Sequence, residues 1–400
     1  MFVKMNKGSR CIIHALGRIV GGCSTSCISG SSETILFGTT GPVQHTTRIL
    51  GPQSSSFKVL YSNQPEERVY SGPQASSTSD SSTSLKARNT TLRTLQQKYH
   101  RGIPLTMVTA YDYPSAVHVD MAGIDMLLVG DSSAMVVHGH DTTIPITLDE
   151  MITHCKAVGR GARRPFIIGD LPFGCFEQGA EQAVASAVKM MKEGGVDAVK
   201  VEGGFPARAA VISAISEAGI AVVGHVGLTP QSISKLGGFR PAGKTAEEAF
   251  RVMEEAAALQ DAGCIAIVLE CIPGVVAAAI TRELNIPTIG IGSGPSCSGQ
   301  VLVFHDMLGF LQHPHHAKVT PKFCKRYSNV SDMIQKALAE YVTDVESHQF
   351  PSEKYTPYVI PEEELHALKR AFTKSGYLNA ADECGVSDVY SDNDDEEMSD

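Results

Sequence analysis

Between Leu105 and Phe304 the chain alternates between two kinds of segment. Eight short runs are almost wholly apolar: Leu105–Thr109, Met126–Gly130, Phe166–Gly169, Ala198–Val201, Ile220–Gly224, Ile265–Leu269, Pro287–Ile291 and Val301–Phe304. Each is bounded by glycine or polar residues, and unbroken apolar runs of this length fit parallel strands covered on both faces. The segments between them have helical spacing. Glu181–Glu193 sets Ala183, Val184, Ala187, Val188 and Met191 on one face, and Glu247–Ala262 behaves the same way. Gly194-Gly195 and Gly263 stand where helix C-caps are expected. Strands that alternate with helices close into a barrel or form a doubly wound sheet. Eight strands is the barrel number, so the expected fold is α/β, a (β/α)8 TIM barrel.

Composition divides the rest of the chain. Residues 1–88 are rich in Ser, Thr and Gly, and stretches such as Ser76–Ser82 lack the apolar surface to order themselves. The first 32 residues carry Lys4, Lys7, Arg10 and Arg18 with no acid before Glu33. That basic, hydroxyl-rich, acid-poor start is the pattern of an organelle transit peptide, with the mitochondrion as the expected address and the plastid or cytoplasm as alternatives. Residues 89–350 are expected to form the barrel, 351–381 a C-terminal segment, and 382–400 a solvated acidic tail. The tail holds nine Asp or Glu and no Lys or Arg, which accounts for the whole net charge of −9 and leaves the body near neutral. A near-neutral body without a basic face excludes a nucleic-acid footprint. No apolar run is long enough to span a membrane. Ten scattered cysteines show no structural-zinc spacing and fit a reducing compartment.

In a barrel of this kind chemistry comes from the C-terminal ends of the strands. Asp131-Ser132 follows the second run, Asp170 the third, and the fourth ends in Lys200-Val201-Glu202. His225 ends the fifth and Glu270 the sixth. Lys200 and Glu202 are two apart, so on a strand they face the same side. Asp131, Asp170 and Glu202 converging on one rim would repel one another, and a hard cation bound by oxygen ligands, Mg2+, resolves that conflict. The plainer alternative is that each acid caps the next helix. Glu270 sits between Ala266–Leu269 and Cys271-Ile272-Pro273, apolar company that disfavours the ionised form and suits a general base. The plainer alternative is a helix N-terminal acid. His225 either donates to substrate or satisfies a backbone group. Gly292 and Gly294 permit close backbone approach after the seventh run, His305 and Asp306 are expected to open a short helix, and Cys175 and Cys271 are read as packing residues rather than nucleophiles.

Together these segments resemble the ketopantoate hydroxymethyltransferase family. The resemblance is carried, in order, by Met107–Asp112, Leu127–Ser132, Pro145–Met151, Asp170–Gly174, Val199–Gly204, Gly224–Gln231, Ile267–Pro273, Thr288–Gly292, Gly299–Gly309 and Pro321–Phe323. It implies hydroxymethyl transfer from 5,10-methylenetetrahydrofolate to 3-methyl-2-oxobutanoate, giving 2-dehydropantoate on the way to pantothenate. It also implies that Asp131, Asp170 and Glu202 hold or surround Mg2+. Asp131, Ser132, Asp170 and Lys200 would bind the keto acid, and Glu270 would accept the proton, with His225 as an accessory group. A homo-oligomer, commonly a decamer, is a further implication. Where the family has Leu-Gly after Gly-Asp-Ser, this chain has Ser133-Ala134, which is expected to shift the loop over the metal and lower activity. Two other readings stay open on the residues alone: a carboxylate-metal barrel handling enolates without folate, and a non-catalytic barrel that keeps the rim for assembly.

Overall fold

The computed structural model describes residues 89–204, 206–311 and 321–385. The expected transit peptide, and the acidic tail from residue 386 onward, lie outside the described residues. Eight strands, all parallel, close into a barrel in sequence order: β1 Leu105–Thr109, β2 Met126–Val129, β3 Phe166–Asp170, β4 Ala198–Glu202, β5 Val222–Gly227, β6 Ala266–Glu270, β7 Thr288–Ile291 and β8 Gly299–Leu302. Pairing of β1 with β8 (Leu105 opposite Gly299) completes the circle. The (β/α)8 expectation is therefore met.

Most strands fall within one residue of the sequence reading, and two depart from it by more. The fifth strand runs to Gly227, so His225 lies inside it, opposite Glu202. The eighth starts at Gly299, and Phe304 opens the short helix Phe304–Leu308 that includes His305 and Asp306. Helices follow the first six strands, but β7 and β8 are joined by residues 292–298 without one. The predicted helices appear as Ala180–Lys189, continued by a wider π turn at Met190–Gly194, and as Ala246–Asp261. Gly195 takes the left-handed cap at φ 69°. Thr147 and Thr245 each open a helix through a capping box with Glu150 and Glu248, which satisfies backbone donors at the helix start.

Apolar packing is split by the strand pleat. One side of each strand faces the helices, where Leu127, Val129, Val199, Val201, Ile267 and Leu269 join the larger core. The other side faces the lumen, filled by Leu105, Met107, Met126, Leu128, Phe166, Ile168, Ala198, Val223, Ala266, Val268, Ile289 and Val301. A further helix, Leu92–His100, adds Leu95 to this inner cluster. It is tied to the barrel by the Lys98–Asp125 ion pair at 2.6 Å.

At Gly227 the chain leaves β5 with φ +97°, and a Cβ there would lie 2.3 Å from the carbonyl oxygen of Glu270. Backbone strain and overpacking each cost about 1–3 kcal/mol. Gly227→Ala is therefore expected to destabilise the protein by about 3 kcal/mol in denaturant unfolding, and a loss within experimental error would contradict this close approach.

Candidate active site

Along the inward side of four strands the residues change character toward the C-terminal end. Phe166 and Ile168 give way to Asp170, Ala198 to Lys200 and Glu202, Val223 to His225, and Ala266 and Val268 to Glu270. The apolar members fill the lumen and the ionisable members form the floor of a cavity of about 620 Å³. Asp131 and Ser132, just beyond β2, line the same cavity. All seven residues expected at the site thus meet in one place.

The cluster is buried and tightly connected. Lys200 Nζ lies 3.1 Å from Asp170 Oδ1 and 3.8 Å from Glu202 Oε1. Asp170 Oδ2 accepts from the backbone N–H of Asp131 at 3.1 Å. His225 stands between two acids, with Nδ1 3.5 Å from Glu202 Oε1 and Nε2 3.3 Å from Glu270 Oε2. Glu270 is therefore not enclosed by apolar neighbours alone, as its flanking sequence suggested. Lys200 Nζ also approaches His225 Nδ1, at 3.4 Å. That nitrogen thus faces a donor and an acceptor at nearly equal range. Burial and Lys200 oppose protonation of the imidazole, but Glu202 and Glu270 outweigh them and push its pKa up to about 9, so the protonated form between two carboxylates is the better description. Burial also opposes the charge on Lys200, yet Asp170, Glu202 and Asp131 hold its pKa above the ordinary lysine range.

The acids divide. Burial raises all three, but His225, Lys200 and the Gln231 backbone bring Glu202 below its usual value. Burial, Glu202 and Asp170 push the Asp131 carboxyl well above the ordinary range, and burial raises Asp170 despite the pull of Lys200. Four carboxylates, if all ionised, face two cations, an excess of two negative charges in a buried place. Asp170 Oδ1, moreover, receives no aligned hydrogen bond even with Lys200 beside it. An acceptor without an aligned donor, beside a carboxyl held well above its ordinary range, fits a hard divalent cation. Glu202 is differently engaged, with its oxygens facing His225 and the Gln231 N–H (3.0 Å). Among the described residues no group of three or more His, Cys, Asp or Glu is arranged to hold a metal ion.

Several site features escaped the sequence reading. Tyr111 OH and Ser132 Oγ share a hydrogen bond of 2.7 Å, so the buried phenol fixes the serine. Thr143 lines the cavity with a buried, unpartnered Oγ1. Gln231 donates through Nε2 to Asp131 Oδ2 at 2.8 Å and to the Leu171 carbonyl at 3.0 Å. Phe239, Pro241, Val303 and Phe323 give the cavity an apolar upper part. Cys271, directly after Glu270, adopts a left-handed backbone at φ 52°, held by its N–H to Ile291 O and by Ala242 N–H to its own carbonyl. Strain of that kind in a non-glycine residue gathers at functional sites. Burial pushes the Cys271 thiol up to about 12 and that of Cys175 to about 11, which removes both as thiolate nucleophiles. Ala134 lies in the right-handed helix Ser133–Val136, so the expected loop shift has no basis in a lost glycine conformation. Ser133 is buried against Met151, and Ser293 Oγ donates to Leu269 O at 2.7 Å.

Comparison with known proteins bears on the same residues. A family model described as ketopantoate hydroxymethyltransferase matches residues 89–353. The 3-methyl-2-oxobutanoate hydroxymethyltransferase 1, mitochondrial, of Oryza sativa subsp. japonica is 59% identical over 324 residues, covering 80% of this chain and 89% of its own length. Its namesake in Arabidopsis thaliana is 58% identical over 320 residues, covering 80% and 90%. The 3-methyl-2-oxobutanoate hydroxymethyltransferase of Emericella nidulans is 44% identical over 324 residues, covering 80% and 91%. The family match runs through all eight strands and takes in every member of the buried charged cluster, and on that footing the chain belongs to the ketopantoate hydroxymethyltransferase family of transferases.

Proposed function

We propose that this protein transfers a hydroxymethyl group from 5,10-methylenetetrahydrofolate to 3-methyl-2-oxobutanoate, giving 2-dehydropantoate in the pantothenate pathway. The observation that carries this reading is the cluster of four carboxylates, Lys200 and His225 on a cavity floor, in a chain of this family. Asp131 and Asp170 would hold Mg2+, with Glu202 beside them, and water and the keto acid would complete its coordination, the usual way this ion is bound. When bound, Mg2+ supplies Lewis-acid polarisation of the substrate's oxygen atoms. Lys200 adds a buried positive charge beside Asp170, placed to stabilise negative charge that develops on the keto acid. Ser132, fixed by Tyr111, offers a hydroxyl on the same wall. Glu270 takes the C3 proton. Its side chain is only 15% exposed and its carboxylate lies 3.3 Å from His225 Nε2, an ion-pair contact without an aligned hydrogen bond, so the proton acceptor stands beside the imidazole, largely shielded from water. The nucleophilic carbon so formed bonds to the one-carbon unit of the donor, both carbon–nitrogen bonds that hold that unit in the folate break, and water supplies the product's hydroxyl oxygen. The C3 proton and the remaining water proton end on the two nitrogens, leaving tetrahydrofolate.

The apolar upper cavity, with Phe239 and Phe323, leaves room for a donor larger than the keto acid. The relatives from rice and Arabidopsis are named mitochondrial, which together with the basic, acid-poor start supports a mitochondrial address for this chain. A homo-oligomer is also part of the proposal. The helix Val330–Glu346 exposes Leu338, Tyr341, Val342 and Val345 along one stripe, the kind of surface that self-association covers.

The test supplies the full chain with 3-methyl-2-oxobutanoate, the methylene donor and Mg2+, with and without chelator. Product is expected only when donor and metal are both present. Formation of product without the folate donor, or undiminished turnover in chelator, would overturn the reading.

A further inference from the structure

Gln231 stands in the short turn Pro230–Ser232 that follows β5, and it is buried. Its neighbour Pro230 lines the cavity while Gln231 stands behind the lining. From there it reaches the ends of three other strands. The backbone N–H donates to Glu202 Oε2 at 3.0 Å. Both amide hydrogens are used as well, one on Asp131 Oδ2 at 2.8 Å and one on the Leu171 carbonyl at 3.0 Å. Two acceptors on the same side decide the orientation of the amide, because turning it over would set its oxygen against a carboxylate and a carbonyl. The amide oxygen Oε1 is left buried with no partner.

That pattern argues against a filler. A side chain chosen only for packing would not bring a carbonyl into the interior unpaired, since an unmade buried hydrogen bond is costly. What the amide achieves is to commit one oxygen of Asp131 to the protein and so fix the rotamer of a buried carboxylate. Asp131 is at the same time tied through its backbone N–H to Asp170. One turn after β5 thereby holds two acids directly, Glu202 at the end of β4 and Asp131 just beyond β2.

We propose that Gln231 is a positioning residue that acts through Asp131 to set the affinity of the site for its divalent cation. The proposal rests on the metal reading given above. Outer partners of metal-binding groups commonly change metal affinity by about 10- to 100-fold when removed, and Gln231→Met, which keeps the length and removes the donor, is expected to weaken Mg2+ binding by that factor. The readout is calorimetric titration of Mg2+ alone into the full-length protein, beside thermal unfolding and steady-state rates at low and saturating Mg2+. The expected result is a folded variant with a raised Mg2+ Kd, whose rate deficit is large at low Mg2+ and shrinks toward saturation. Unchanged Mg2+ affinity beside a lowered melting temperature would assign Gln231 to folding alone and overturn the proposal. If Gln231→Met does not fold, Gln231→Ser, which leaves space for water, takes its place, and failure of both to fold would likewise assign Gln231 to folding and overturn it. A wild-type protein that takes up no Mg2+ would overturn this proposal and the metal reading together, an outcome visible before any variant is made.

Discussion

Lys200→Met should cost this protein both its activity and a large part of its stability. The ammonium is buried, 3.1 Å from Asp170, 3.8 Å from Glu202 and 3.4 Å from His225. Methionine preserves most of the volume and removes the charge, leaving Asp131, Asp170 and Glu202 facing one another with only the His225 imidazolium to offset them. Removing one partner from a buried ion pair costs about 3–5 kcal/mol. Loss of one group that stabilises developing negative charge lowers turnover by about 10²–10³. The stability loss should depend on pH with a definite sign. Asp131 and Asp170 already have folded pKa values above their unfolded ones, and losing Lys200 raises both further. A carboxyl with a raised folded pKa favours the fold while protonated, and that contribution disappears as pH rises through the folded value. In chelator, the deficit of the variant relative to wild type should therefore grow as pH rises above the ordinary carboxylate range, measured by denaturant unfolding. A deficit that does not change with pH would show that Lys200 is not the counter-charge of these acids.

How much of the molecule is legible in the sequence depends on whether a feature is local in the chain. The strands are, because each is an unbroken apolar run, and so are the helices whose stripes and terminal glycines fall within a few turns. The two strands misplaced by more than one residue have a common cause. His225 reads as the polar end of an apolar run, yet inside a barrel the rim end of a lumen-facing stripe is where a charged group belongs, so the strand continues past it. Gly299 and Gln300 read as a loop. Glycine is needed there because a Cβ would lie 2.5 Å from the Leu105 carbonyl of the neighbouring strand, a contact between the first and last strands that no local pattern reveals. The site divides along the same line. Asp131, Asp170, Lys200, Glu202 and Glu270 follow from the rule that strand ends carry chemistry. The pairing of His225 with Glu270, the support of Ser132 by Tyr111 and the grip of Gln231 on Asp131 join residues from different strand ends, so only the closed barrel brings them together. Even the reading of Glu270 as a group in apolar surroundings fails for this reason, since its decisive neighbour comes from β5.

Glu270→Gln is expected to leave keto-acid binding nearly intact while slowing exchange of the C3 proton of 3-methyl-2-oxobutanoate with solvent by about 10²–10⁴. The substitution is close to isosteric, and the groups proposed to hold the keto acid, Ser132, Asp170 and Lys200, are not altered by it. What changes is basicity, because an amide does not accept the proton. Deuterium incorporation at C3, followed by NMR without any folate present, isolates this step from transfer of the one-carbon unit. A second consequence falls on His225. Glu270 is one of the two acids that hold its pKa at about 9, so the variant should titrate lower, with Glu202 remaining as its single acidic partner. The two readouts separate the roles of the carboxylate. A lowered His225 pKa with exchange at the wild-type rate would leave Glu270 as a brace for the imidazole and remove it as the base. Slow exchange together with that shift is the outcome expected when the proton acceptor and its support are the same pair of side chains.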